Sequence, residues 1–331
     1  MRVLVTGAAG FIGSHVARRL NILGHRVLCV DNFSDYYDPE YKNLRVSELL
    51  AGLRIENIDI SQRSDVGKLI RLFNPDSVIH LAAQPGVRLP LYSYSDYVRD
   101  NLLGFSNMAI LSSEFNVKNF VYASSSSVYG DSALIPYNES EKNLKPNSFY
   151  GATKLSNEIL ATTLSYQTGM RMRGLRFFTV YGPWGRPDMA YFRLISNVLV
   201  NAPYKLFGNG SIKRDFTYID DIVSSTIDLH ENLSKQKKGF SDVVNVGGGS
   251  PRSINELMEE VTKISKKNIV FENHDPVSAD VAVTSANTNY LESLIGNRTF
   301  TALEIGINKT YDWASREDIS EKLLHWVKSA P

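Results

Sequence analysis

Arg2-Val3-Leu4-Val5-Thr6-Gly7-Ala8-Ala9-Gly10-Phe11-Ile12-Gly13 is the stretch that decides the fold of this 331-residue chain. Its first five residues read as a short buried strand, and three glycines at a spacing of three turn that strand into a helix over residues 13–23. Glycine there lets the backbone turn tightly, approach a pyrophosphate and pack helix against strand. The helix N-terminus then offers free N–H groups and the positive end of its dipole to phosphate. A second strand, residues 26–30, runs into Asp31, 18 positions beyond Gly13, where a carboxylate meets the adenosine ribose hydroxyls of a dinucleotide. An anion there disfavours a 2′-phosphate, so the reading is NAD rather than NADP; the same carboxylate can also simply cap the following loop.

Outward from this unit the pattern repeats. Residues 32–41, rich in Asp and Tyr, are predicted to form an exposed loop before a helix at 43–51. A strand at 54–60 closes on Asp59-Ile60, a helix follows at 64–73, and a buried strand at 77–81 leads into His80-Leu81-Ala82-Ala83. Small residues after that strand let a cofactor lie close to the backbone, and His80 reads as a packed, hydrogen-bonded histidine. A helix at 97–115, a strand at 120–123, a helix after Tyr150 and a strand at 172–178 continue the alternation. Such alternation predicts an α/β fold, a doubly wound parallel (Rossmann) sheet with ligands at the C-terminal ends of its strands. Residues 1–178 form the NAD-binding domain in this reading, with 217–247 returning to it through a helix at 220–232 and a strand at 242–246. Residues 179–216 and 248–331 form a smaller mixed α/β substrate domain. Its elements are a Gly/Pro loop, helices at 191–200, 253–266 and 320–328, and a strand at 269–272.

Composition narrows the classes. The chain is 43% hydrophobic and 21% charged with a formal charge of +1, which gives no reason to expect nucleic-acid binding. No apolar run reaches the roughly 18 residues of a membrane span, and no targeting segment is evident, so a cytoplasmic protein is expected. One cysteine, Cys29, permits neither a disulfide nor a cysteine-based metal site, and no metal is expected.

The chemistry gathers in Ser124-Ser125-Ser126-Ser127-Val128-Tyr129-Gly130 and Tyr150-Gly151-Ala152-Thr153-Lys154. Tyr150 and Lys154, four apart, project from one helix face. A hydroxyl cluster, a phenol and an ammonium are what proton transfer to and from an alcohol requires.

Together with the glycine loop, these motifs resemble the extended short-chain dehydrogenase/reductase superfamily, in its nucleotide-sugar epimerase branch. Several strings are similar to UDP-glucuronate 4-epimerases: Ala83-Gln84-Pro85-Gly86-Val87-Arg88, Phe177-Phe178-Thr179-Val180-Tyr181-Gly182-Pro183, Arg186-Pro187-Asp188-Met189-Ala190 and Arg214-Asp215-Phe216-Thr217-Tyr218. The resemblance implies that Tyr150 is the catalytic base, Lys154 its partner and Ser125 the active hydroxyl. It implies NAD contacts from Gly7, Gly10, Phe11, Ile12, Gly13, Asp31, Asn32, Asp59, Ile60, Leu81, Ala82, Ala83 and Asn101, along with Tyr150 and Lys154. It assigns Arg214 to the diphosphate of a UDP-sugar, and Ser126, Ser127, Thr179 and Arg186 to the sugar with its C5 carboxylate. Arg88 and Asp280 complete that substrate set.

In the implied reaction Tyr150, its phenolate favoured by the Lys154 ammonium, takes the 4-OH proton as C4 gives hydride to NAD; the 4-keto sugar turns over and takes the hydride back. Ser126-Ser127 stands where the related dehydratases carry Asp-Glu, which argues against elimination. The segment Pro276-Val277-Ser278-Ala279-Asp280 departs from the family's Pro-Gly-Asp pattern and leaves the sugar open. Alternatives are a 4-epimerase of a neutral UDP-hexose or UDP-N-acetylhexosamine, a nucleotide-sugar dehydratase or decarboxylase, and a non-catalytic NAD-binding protein. The resemblance also implies a homodimer through a four-helix bundle, built from the helices carrying Leu103, Met108, Leu111, Leu155 and Leu160.

Overall fold

The computed structural model describes all residues except 88, 90–92, 132, 276–280 and 331. Seven parallel strands form the main sheet in the order β10-β6-β5-β4-β1-β2-β3. They are β1 (Arg2–Thr6), β2 (Arg26–Asp31), β3 (Arg54–Asn57), β4 (Ser77–His80), β5 (Asn119–Ser125), β6 (Arg171–Phe177) and β10 (Ser241–Val246). Thr6 pairs in register with Val30 on one side and His80 on the other, so the direction of winding reverses at β1 and opens a crevice there. β10 lies beside β6, Ser241 against Met172, as the predicted return to the sheet requires.

Alternate residues of each strand serve opposite faces. Val3, Val5, Cys29, Ile79 and Val121 pack into one core, while Leu4, Leu28, Val30, Val78 and Phe120 pack into another. The first core is continuous with Trp184, Leu303 and Trp326 from the C-terminal half. Helices α1 (Phe11–Ile22), α2 (Pro39–Leu49), α3 (Arg63–Phe73), α4 (Tyr94–Asp96), α5 (Phe105–Glu114), α6 (Phe149–Thr168) and α8 (Ile219–Ser234) accompany the sheet. The remainder comprises β7 (Thr179–Tyr181), α7 (Ala190–Leu199), β8 (Tyr204–Phe207), β9 (Lys213–Tyr218), β11 (Pro251–Ser253), α9 (Ile254–Ser265) and β12 (Phe271–His274). It ends with α10 (Asn289–Ile295), α11 (Leu303–Ala314), α12 (Glu317–Ser320) and α13 (Leu323–Ser329). β11, β9 and β7 make a small mixed sheet, and β12 pairs with β8.

Four expectations need correction. Residues 32–41 are only in part an exposed loop: 32–38 form the loop, but Tyr37 and Tyr41 are buried, and α2 begins at Pro39 with Asp38 accepting the Glu40 N–H at 2.8 Å. Tyr41 packs on Trp326 with ring centroids 4.4 Å apart and donates to the Gly185 carbonyl at 2.7 Å. The helix expected at 97–115 contains a π-helical segment, Tyr97–Gly104, between α4 and α5. Met108 and Leu111, read as part of a dimer stripe, point into their own core, whereas Leu103 and Leu160 are exposed. The final helix is broken into α12 and α13, and α10, α11, β8 and β11 have no counterpart in the sequence reading.

Candidate active site

β5 delivers the serines and α6 delivers the phenol. At the end of β5 the Ser125 hydroxyl accepts the Ser127 N–H at 3.1 Å and donates to the Ser127 hydroxyl at 3.2 Å, capping a short 3-10 turn, Ser126–Val128. α6 starts nearby because Ser148 accepts the Gly151 N–H at 3.0 Å. Tyr150 and Lys154 therefore stand on the first two turns. Lys154 Nζ donates to the Ala123 carbonyl at 3.1 Å, tying α6 to β5, and sits 5.6 Å from the centre of the Tyr150 ring.

The electrostatics differ from the sequence expectation. Burial raises the Tyr150 phenol above its ordinary value; the Arg186 guanidinium and a hydrogen bond with Ser125 oppose that rise. The Arg186 guanidinium, which the sequence reading did not assign to the phenol, thus joins Lys154 as a cation near Tyr150. Lys154 is itself brought down to about 8 by burial.

The glycine loop lies at the same strand ends. Gly7 has φ +69°, and a Cβ there would stand 2.7 Å from Ala82 N; a Cβ on Gly13 would stand 2.0 Å from the Gly7 carbonyl oxygen. Gly10 precedes α1 without any side-chain cap, which leaves the first-turn N–H groups to a ligand. Asp31 accepts the Ala9 N–H at 2.9 Å and the Phe33 N–H at 2.8 Å. It therefore caps the loop and still has lone pairs toward the cleft. His80 is packed as expected, 2.7 Å from the Thr6 hydroxyl through Nδ1 and pushed down to about 3 by burial.

A cleft of about 1410 Å3 joins these parts. Gly7, Gly10, Phe11, Ile12, Gly13, Asp31 and Asn32 line it, with Ile60, Leu81, Ala82 and Ala83. Ser125, Ser126, Ser127, Tyr150, Lys154, Thr179, Arg186 and Arg214 line it as well. Arg214 Nη1 also donates to the Val281 carbonyl at 2.7 Å. Two expected contacts stand back from the cleft. Asn101 is buried with its amide bonded to Gln84 and Thr153, and Asp59 accepts the Ser61 N–H at 2.8 Å. Arg88 and Asp280 lie outside the described residues. Sequence reasoning missed Tyr36, Asp188, Arg193 and Tyr204, which also line the cleft. Asp188 was in the quoted Arg186 string; the other three carried no spacing signal.

A model of the NAD dependent epimerase/dehydratase family matches residues 3–247. The chain belongs to this family. Protein CapI of Staphylococcus aureus is 37% identical over 95% of this chain and 98% of its own length. UDP-glucuronate 4-epimerase 4 of Arabidopsis thaliana is 39% identical over 94% of this chain and 74% of its own. The crystal structure of UDP-glucuronic acid 4-epimerase from Bacillus cereus, in complex with UDP-glucuronic acid and NAD, superposes with a TM-score of 0.85 at 33% identity, covering 95% of this chain and 98% of that one.

Behind this epimerase/dehydratase site lies a buried polar cluster. Arg176 clasps Glu158 with Nε at 2.9 Å and Nη2 at 2.7 Å, and Ser124 donates to the same carboxylate at 2.5 Å. Arg176 also reaches the Tyr129 hydroxyl at 2.9 Å, which donates to Asn245 at 2.7 Å. Glu158 is one turn beyond Lys154 and Ser124 precedes Ser125, so the cluster fastens α6 to β5 and β6 next to the residues that carry the site. Among the described residues no cluster of His, Cys, Asp or Glu is placed to hold a metal ion, and no helix is long and apolar enough to cross a membrane.

Proposed function

We propose that this protein is an NAD-dependent 4-epimerase of a UDP-sugar that interconverts UDP-glucuronate and UDP-galacturonate. One observation carries the reading: the Ser125–Tyr150–Lys154 group, the glycine loop and Arg186 all line one cleft, with the Arg186 guanidinium close enough to Tyr150 to act on its phenol. The residues fit the dinucleotide. The glycines keep clear the space that side chains would fill, the first turn of α1 is uncapped, and Asp31 retains acceptor capacity for ribose hydroxyls. The cofactor would be held by these residues with Ile60, Leu81, Ala82 and Ala83, and supplies the hydride acceptor for C4. The relatives named UDP-glucuronate 4-epimerase and the Bacillus cereus complex with UDP-glucuronic acid and NAD support the choice of sugar.

Tyr150 takes the 4-OH proton, and the Ser125 hydroxyl, turning its hydrogen from Ser127 to the substrate, steadies that oxygen. Lys154, fixed by Ala123, holds the phenol in place. The 4-keto sugar turns its other face to the same groups, and Tyr150 returns the proton, inverting C4 with no net redox change. Ser126, Ser127 and Thr179 are assigned to the sugar, Arg186 to its C5 carboxylate and Arg214 to the diphosphate. Residues 1–178 with 217–247 act as the cofactor domain, and 179–216 with 248–331 as the substrate domain. A cytoplasmic homodimer serving polysaccharide biosynthesis completes the reading. The outer faces of α5, α6 and the π segment carry exposed Val98, Leu103, Ile110, Ile159 and Leu160, a surface suited to a two-fold helix bundle.

Purified protein incubated separately with UDP-glucuronate and UDP-glucose, followed by NMR of the sugar protons, tests the function. UDP-galacturonate from UDP-glucuronate is expected. A 4-epimer from UDP-glucose alone overturns the carboxylate assignment, and a product lacking water or carbon dioxide overturns epimerisation. Tyr150→Phe should lower turnover by orders of magnitude with UDP-glucuronate binding kept; near-normal turnover removes Tyr150 from the role.

A further inference from the structure

Arg186 already holds a carboxylate of its own chain. Its Nε donates to Asp188 Oδ1 at 3.0 Å and its Nη2 to Asp188 Oδ2 at 2.5 Å, a two-pronged pair with side chains 23% and 12% exposed. Nη1 donates to the Pro85 carbonyl at 3.4 Å. The Tyr36 hydroxyl donates to Asp188 Oδ2 at 3.2 Å, and the guanidinium sits over the Tyr36 ring at 5.8 Å. A guanidinium has five N–H donors. Three are used by Asp188 and Pro85, which among the described residues leaves one on Nη1 and one on Nη2.

Those two donors stay open to a ligand. Arg186, Asp188, Tyr36 and Tyr150 all line the cleft, so a carboxylate arriving there meets the remaining donors of a nearly neutral pair rather than a bare cation. That difference matters for an epimerase. The sugar must leave its first pose and return with the opposite face, and any contact equally strong before and during turning deepens the ground state without speeding the reaction. A lone arginine gripping the C5 carboxylate in a half-buried site is such a contact.

We propose that Asp188 is a positioning and specificity-setting residue: it fixes the plane of Arg186 and offsets its charge, so that a C5 carboxylate is recognised but released for turning. This rests on the reading of Arg186 as the contact for the C5 group. Tyr36 holds the outer side of Asp188 and keeps the carboxylate on the arginine.

The test compares dissociation constants of UDP-glucuronate and UDP-glucose in Tyr150→Phe protein, where turnover does not intrude, with and without Asp188→Asn. Asparagine keeps an acceptor for the arginine and removes the charge. UDP-glucuronate should bind roughly fivefold more tightly in the Asp188→Asn background, the scale of a partly solvated charge contact, with UDP-glucose moved by less than about twofold. In otherwise wild-type protein, Asp188→Asn should lower KM and kcat for UDP-glucuronate together. Unchanged or weaker UDP-glucuronate binding, or equal changes for both sugars, overturns the proposal, since a purely structural staple would treat the sugars alike. The unchanged UDP-glucose constant also verifies that the variant is folded. Failure of the function itself registers separately, as absence of UDP-galacturonate from wild-type protein, while the binding comparison still decides the role of Asp188.

Discussion

Replacing Glu158 with Gln leaves the Arg176 guanidinium without its counter-charge in a site where the two side chains are 3% and 7% exposed. The pair makes two charge-assisted bonds, 2.9 and 2.7 Å, and Ser124 adds a third to the same carboxylate. Removing one partner of a buried pair costs about 3–5 kcal/mol, because the remaining charge stays desolvated. Unfolding entropy near 60 °C is about 2.1 cal/mol/K per residue, or about 0.7 kcal/mol/K for 331 residues, so a loss of about 4 kcal/mol lowers Tm by about 6 °C. Scanning calorimetry of wild type and Glu158→Gln measures this directly. Adding Arg176→Met removes the stranded charge and should restore at least half the loss. Because Ser124 precedes Ser125, kcat should also fall by roughly ten- to a hundredfold with KM nearly held. A Tm within about 2 °C of wild type, or a double variant no better than the single one, refutes the account of a desolvated pair.

Three further outcomes are expected. Gly13→Ala places a methyl 2.0 Å from the Gly7 carbonyl oxygen and should abolish NAD binding, read as NAD released on heating the purified protein; retained NAD shows that the loop yields. Lys154 falls from 10.5 to about 8 in the fold, and at about 1.36 kcal/mol per pH unit the charged form costs about 3 kcal/mol; the penalty is full below pH 8 and fades as pH rises to 10.5. Lys154→Met should therefore raise Tm at pH 7 by about 4 °C while activity collapses, and should give no such gain at pH 10.5. Ile159, 62% exposed on α6, becomes the test of assembly: Ile159→Arg should halve the mass seen by light scattering, and an unchanged mass removes α6 from the interface.

The main sheet was legible because its strands are short apolar runs at even spacing, and the catalytic pair because Tyr150 and Lys154 are separated by one helical turn. What escaped depended on partners far along the chain. Tyr37 and Tyr41 sit in a polar, tyrosine-rich segment that looks solvated until Trp184 and Trp326 cover it. Arg45 looks like a surface residue of α2, yet it is buried on the Ala9 and Trp184 carbonyls. Arg186 was placed at the cleft, but its pairing with Asp188 and the stacking on Tyr36 depend on a loop fold that local pattern does not encode. The π segment left no sequence mark, since a one-residue widening of the helical hydrogen bonding alters no hydrophobic period that a short window detects.

The contact between Trp326 and Tyr41 bears on how the molecule is made. Every strand of the seven-stranded sheet has left the ribosome once residue 246 has emerged, whereas the ring that covers Tyr41 arrives 80 residues later. Until then Tyr41 has Trp184 and Phe192 against it but not Trp326, and Asp38 lacks its bonds with Ser329 and His325. A growing chain is thus expected to be able to cradle a dinucleotide before the start of α2 has its full cover, so the glycine loop and the segment that follows β2 come to maturity at different times.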